Sequence, residues 1–118
     1  MSSQKKIKLL LVDDEIDFLQ AIAERLTLKD FDVIAASTGS EAIAAAENDL
    51  FDVAVVDFQM PGMDGTQVLK ALKDRHRYLE IIMLTGHATI DSAVESTKLG
   101  AFKFLEKPYV FEKLRGQT

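Results

Sequence analysis

At 118 residues, 47% of them hydrophobic, the chain is long enough to bury one core unaided, and a single domain over 1–118 is expected. It contains no cysteine, which excludes disulfides, and no apolar run has the length of a membrane span or the plan of a signal peptide, which points to the cytoplasm. A formal net charge of -5 excludes a large basic footprint, so direct nucleic acid binding by this domain is not expected, and any DNA contact would need another domain.

After a polar start, Ile7-Lys8-Leu9-Leu10-Leu11-Val12 reads as a strand. Its apolar residues run on almost without alternation, as in a parallel strand covered on both faces. The next segment changes period. Phe18, Leu19, Ile22, Ala23 and Leu26 make one stripe on a helix from about 16 to 28. Residues 31–36 give a second strand, and a helix over 40–48 follows with Ala42, Ile43 and Ala46 inward. The third strand spans 51–56. Gly65-Thr66 lead into a third helix marked by Val68, Leu69 and Leu72, and 80–84 form the fourth strand. Ile90, Ala93, Val94 and Thr97 mark a fourth helix that Gly100 can end in a left-handed cap. A fifth strand over 102–105 precedes a short helix after Pro108 that packs Phe111 and Leu114. Strands alternating with helices imply right-handed crossovers and a doubly wound α/β fold, a parallel sheet with helices on both faces.

In such a sheet the site lies beyond the carboxyl ends of the strands. The first strand ends in Asp13-Asp14, the third in Asp57, the fourth in Thr85 and the fifth in Glu106-Lys107-Pro108. Three carboxylates crowded in a crevice repel one another and persist most naturally around a divalent cation. Mg2+ suits a few carboxylates and waters, and no cysteine or well-placed histidine suggests a softer metal; His76 and His87 fall at loop or helix-edge positions. Taken alone, Asp13-Asp14 reads more readily as a cap for the helix beginning near Glu15, and Asp57 equally as a turn former before Met60-Pro61-Gly62. At the end of a central strand, however, the Asp57 carboxylate is placed to act as a nucleophile. Thr85 offers a hydroxyl donor, and Lys107 an ammonium that can pair with Asp57 or with a phosphoryl oxygen.

Leu9-Leu10-Leu11-Val12-Asp13-Asp14-Glu15, Val55-Val56-Asp57-Phe58-Gln59-Met60-Pro61-Gly62-Met63-Asp64-Gly65, Leu84-Thr85-Gly86 and Gly100-Ala101-Phe102-Lys103-Phe104-Leu105-Glu106-Lys107-Pro108 together resemble the response-regulator receiver family. The resemblance covers nearly the whole chain. It implies a flavodoxin-like, five-stranded sheet in the order 2-1-3-4-5 with five helices, and phosphotransfer to Asp57 from a histidine kinase or phosphotransfer protein. It further implies Mg2+ held by Asp14, Asp57 and the backbone carbonyl of Gln59, with Asp13 acting through water. Thr85 and Lys107 are assigned to the phosphoryl group, Thr85 and Phe104 to the conformational switch, and a cis bond to Lys107-Pro108. Gln59 and His87 fall at positions that flank the attacking water.

The implied partners are the kinase, met through Ile16, Leu19 and Gln20 of the first helix, and an effector domain or partner protein. The stretch from Thr85 to Pro108 looks most like receivers that precede ATPase or helix-turn-helix effectors in transcriptional activators. A phosphorylation-dependent homodimer is a further expectation, although Lys103 replaces an acid found in receivers that form a salt-bridged dimer. The resemblance implies a signalling domain that catalyses only its own phosphorylation and slow dephosphorylation. Three other readings compete, one of them an inactive receiver serving only as a docking surface, which nothing in the chain supports because every expected site residue is present. An aspartyl-nucleophile phosphohydrolase usually carries a second Asp two residues after the first, where this chain has Gln59. A flavin or nucleotide module would want a Gly- or Ser/Thr-rich loop after the first strand in place of Asp13-Asp14-Glu15.

Overall fold

The chain is described from a computed structural model, which defines residues 6–58, 60, 62, 65–85, 98, 100–101 and 103–106. Five strands form its sheet: β1 (Lys8–Val12), β2 (Asp32–Ala36), β3 (Val53–Asp57), β4 (Glu80–Thr85) and β5 (Lys103–Glu106). Their order is β2-β1-β3-β4-β5 and every pairing is parallel, as the resemblance implied. Three helices complete the described elements: α1 (Ile16–Leu28), α2 (Gly39–Asn48) and α3 (Gly65–Arg75). The fourth helix is expected over residues of which only Lys98 and Gly100 are described; the fifth helix and the Lys107-Pro108 bond lie outside them.

The near-continuous apolar strands are explained by two cores, one on each face of the sheet. Leu9, Leu11, Val55 and Leu84 pack with Leu19, Ile22 and Leu26 of α1. The alternate residues Leu10, Val12, Ala54, Val56, Ile81 and Met83 pack with Ala42 and Ala46 of α2 and with Val68, Leu69 and Leu72 of α3. Because successive strand residues point to opposite faces, both sets must be apolar, which removes the alternation a one-sided sheet would show. The rim strand β2 departs from this: Asp32, Ile34 and Ala35 are exposed, and Ala36 alone in it is buried.

The ends of the helices are tied by polar contacts. Thr38 caps α2, its Oγ1 accepting from the Glu41 N–H at 3.0 Å, and Glu41 Oε1 accepts in return from the Ser37 N–H at 2.8 Å. At the opposite end of the domain the Lys8 ammonium donates to Asp49 at 2.9 Å, and that carboxylate raises the Lys8 pKa. Arg75 pairs with Glu47 at 3.0 Å, and His76 Nε2 lies 3.0 Å from the Ala46 carbonyl, so α2 and α3 are joined at their carboxyl ends.

Lys73 closes the turn after α3. Its Nζ donates to the carbonyls of Arg77 at 3.0 Å and Leu79 at 2.8 Å, while its stem runs beneath Gly100. Gly100 has φ of 106°, and a Cβ there would meet Lys73 Cε at 3.1 Å, so both conformation and space favour glycine. Lys73→Met keeps the stem but removes both charge-assisted bonds, and urea denaturation should show a loss of about 1 to 3 kcal/mol.

Candidate functional site

Asp13 and Asp57 are brought together by strand register. β1 pairs with β3 from Leu9 opposite Val53 to Val12 opposite Val56, and the next step sets Asp13 beside Asp57. By strand alternation both lie on the same side as Leu11 and Val55, at the point where the apolar strands give way to the carboxyl edge. Asp57 proves to be the last residue of β3, so its backbone is held by the sheet. Both acids are buried, at 0% and 2% exposure, while Asp14 is partly exposed beside them.

Carboxylate oxygens of Asp13, Asp14 and Asp57 all lie within 4.8 Å of one another. At that distance two full charges repel by on the order of 3 kcal/mol if the effective dielectric is about 20. The donor set fits a hard divalent cation, since oxygens facing each other across one such ion are about 4 to 5 Å apart. Asp13 is oriented as well as buried. Its Oδ1 accepts the Glu15 N–H at 2.8 Å, and its own N–H donates to the Ala36 carbonyl at 3.1 Å. The N-cap of α1 is Glu15, whose side chain makes no capping bond.

The segment after Asp57 is clamped at its base. Phe58 N–H donates to the Leu84 carbonyl at 2.6 Å, and Gly65 N–H donates to the Phe58 carbonyl at 2.9 Å. Gly65 is buried so closely that a Cβ on it would overlap the Asp57 carbonyl oxygen and approach Phe58 Cα at 2.6 Å. Only glycine lets the first residue of α3 lie against the end of β3 in this way. Met60, in the same segment, is buried in the core on the α2 and α3 side. Neither role is legible in the order of residues after Asp57, since both depend on how β3 and α3 meet.

Thr85 ends β4, one residue past the Leu84 that pairs with Asp57, so its backbone lies at the same carboxyl edge. Phe104 lies within β5 opposite Met83. Gln59, His87 and Lys107 lie outside the described residues. On α1, Ile16 is 49% exposed and Gln20 is exposed, as a docking face requires, but Leu19 is not available: it is 6% exposed and turned into the core. The apolar stripe of the helix claims it, because it shares a face with Ile22 and Leu26.

Residues 9–118 match the model of the response regulator receiver domain. The chain belongs to the response regulator receiver family. Its receiver sequence is 35% identical over 106 residues to the transcriptional regulatory protein GlrR of Escherichia coli (strain K12), an alignment covering 90% of this chain and 24% of that protein. The chain thus spans about a quarter of the length of such relatives. A response regulator receiver domain from Clostridium thermocellum superposes with a TM-score of 0.82 at 34% identity, covering 86% of this chain and 82% of the other. A Burkholderia pseudomallei response regulator, solved with a phosphorylated aspartic acid, calcium ion and citrate, superposes with a TM-score of 0.83 at 30% identity over 87% of this chain and 61% of that one.

Membership in this family supports the receiver reading. As a receiver the domain is a phosphoryl-accepting signalling module of response regulators, and its acidic cluster is a place where a divalent metal can be held. Among the described residues no helix is long and apolar enough to cross a membrane.

Proposed function

We propose that this receiver takes a phosphoryl group on Asp57, in the presence of Mg2+, and that the modified domain controls an effector. The reading is carried by the buried Asp13 and Asp57 with Asp14, whose oxygens gather within 4.8 Å at the end of a central strand. Asp14, Asp57 and the Gln59 carbonyl would hold the ion, with Asp13 acting through water. Bound there, Mg2+ would neutralise the clustered carboxylates and the charge of an incoming phosphoryl group.

The chain's own residues do the rest. An Asp57 oxygen attacks phosphorus, a P–O bond forms as the P–N bond of a phosphohistidine donor breaks, and the electron pair leaves with the imidazole nitrogen. Thr85 donates its hydroxyl to a phosphoryl oxygen and Lys107 pairs its ammonium with another. Attack of water on phosphorus later breaks the P–O bond to Asp57, restores the carboxylate and releases inorganic phosphate, so the domain catalyses its own modification and its slow reversal. Phosphorylation shifts a two-state equilibrium by differential contacts, through the Thr85 hydroxyl and the Phe104 ring. Phe104 has no hydroxyl, so packing alone must favour the inward state.

A sensor histidine kinase or phosphotransfer protein is the donor, docking on the face of α1 that carries Ile16 and Gln20. The relatives' names as transcriptional regulators support an effector domain acting on transcription, with DNA touched by that domain and not by this one. A phosphorylation-dependent homodimer, a cytoplasmic location and a single receiver domain over 1–118 complete the proposal.

Incubation with Mg2+ and a small acyl phosphate donor, followed by intact mass measurement, is expected to show one phosphoryl group that EDTA prevents. Steady consumption of donor with no adduct on the protein would overturn the reading in favour of a phosphohydrolase.

A further inference from the structure

A strand at the rim of a sheet offers a row of backbone groups to any strand that can reach it, unless the chain blocks the approach. β2 is such a rim, paired with β1 alone in the β2-β1-β3-β4-β5 order. The register shows which of its groups are engaged. Asp32 N–H donates to the Ile7 carbonyl and the Ala36 carbonyl accepts from Asp13 N–H, so Asp32, Ile34 and Ala36 turn their peptide groups toward β1. In a parallel ladder the residues between them turn theirs the other way. Val33 and Ala35 therefore each direct an N–H and a carbonyl out of the sheet, where neither has a loop or cap partner among the described residues. Beyond these two the row is closed, because Phe31 N–H donates to the Leu26 carbonyl and Ser37 N–H to Glu41 Oε1. The usual blocks are missing from the strand. It reads Asp-Val-Ile-Ala-Ala, with no proline and no lysine, and its pairing with β1 runs through all five residues without a bulge. Its outer side chains are bare as well, Ile34 being 37% exposed and Ala35 exposed.

We propose that a second copy of this chain pairs with β2 across a two-fold axis, antiparallel and centred on Ile34. The two open residues set that register. With Ile34 opposite its own copy, Val33 faces the partner's Ala35 and Ala35 faces the partner's Val33, and each pair exchanges two N–H to carbonyl bonds. The central pair is then apolar, isoleucine against isoleucine. Charge fits the same register. Asp32 lies across from the partner's Ala36, at the end of the strand that leads into α2, so the two Asp32 carboxylates sit at opposite ends of the pairing and each lies toward the positive amino end of a helix. The dimer is closed, because pairing engages the single β2 edge of each copy. Five residues make a short contact, so the association is weak. No residue of β2 belongs to the Asp13, Asp14 and Asp57 cluster, so this pairing needs no phosphoryl group and is separate from the phosphorylation-dependent dimer.

The test is sedimentation velocity of the unphosphorylated protein in EDTA, from about 0.02 to 1 mM, the range in which so small a contact is populated. The parent is expected to pass from monomer toward dimer across that range. Ala35→Pro deletes an N–H that points to solvent in the monomer, so the melting temperature should stay near the parent's. It removes two of the intermolecular bonds and should raise the dissociation constant of the dimer by about tenfold. Ala35→Thr keeps the N–H and should dimerise like the parent. Ile34→Lys sets two ammonium groups against each other at the axis and should also weaken the dimer by about tenfold, an effect that added salt reduces. It decides the matter should proline disturb the fold. A parent that remains monomeric at about 1 mM overturns the proposal. Dimerisation of parent strength in either variant that folds, Ala35→Pro or Ile34→Lys, also overturns it, since the contact would then lie on another face.

Discussion

Asp57→Asn is expected to lose phosphorylation below detection while melting at a higher temperature than the parent in EDTA. The amide keeps the shape of the side chain but is neither a nucleophile nor an anionic ligand. It also removes one member of a group of carboxylates whose oxygens lie within 4.8 Å of one another, two of the residues being buried. Relief of that repulsion should stabilise the metal-free fold by on the order of 1 to 3 kcal/mol, which for a domain of this size is several degrees at about 4 °C per kcal/mol. Mg2+ stabilises the parent by binding only the folded state, and that gain should shrink in the variant. Scanning calorimetry of both proteins with EDTA and with Mg2+ gives the comparison directly. A variant less stable than the parent in EDTA would mean that the native site compensates the crowding by other bonds.

Gly65→Ala should be the most damaging of the conservative substitutions near the site. Its Cβ would collide with three backbone atoms, the Asp57 oxygen, Phe58 Cα and the Phe58 oxygen, none of which can rotate away. Either the end of β3 or the start of α3 must move. Overpacking of this kind costs about 1 to 3 kcal/mol, although alanine is the better helix former by about 1 kcal/mol. Because the atoms that move belong to Asp57, the proposed acceptor, and its neighbour Phe58, phosphorylation by a small donor should slow as well. Gly62→Ala is the contrast: at φ of 83° it strains the backbone, but its Cβ meets nothing within 4 Å. Urea denaturation that finds Gly65→Ala as stable as the parent would sink this account.

The fold was legible because both faces of the sheet are covered. Runs such as Leu9-Leu10-Leu11-Val12 announce burial on two sides, and the shift to the spacing of Leu19, Ile22 and Leu26 announces a helix. Boundaries slipped where polarity and pairing disagree: Ile7 looks like strand but is 49% exposed and lies before the ladder, while Asp57 looks like loop but is paired with Leu84. The acids were legible from their place at strand ends. Gly65 and Met60 were not, because a close backbone approach and a buried loop side chain depend on how β3 and α3 meet, and no local pattern encodes that meeting. Leu19 shows the same limit in reverse, since one face of α1 cannot serve both the core and a partner.

The β2-β1-β3 order carries a consequence for how the domain comes into being. Asp13 and Asp57 meet only after α1, β2 and α2 have been made and the third strand has returned to the flank of the first. Pairing between segments so far apart in the chain is slow, since the loop must close before the contacts reward it. A nascent chain that has not yet reached β3 therefore holds two of the three clustered acids and lacks Asp57. On the proposed reading of the site, competence to receive a phosphoryl group arrives with the closure of the central sheet.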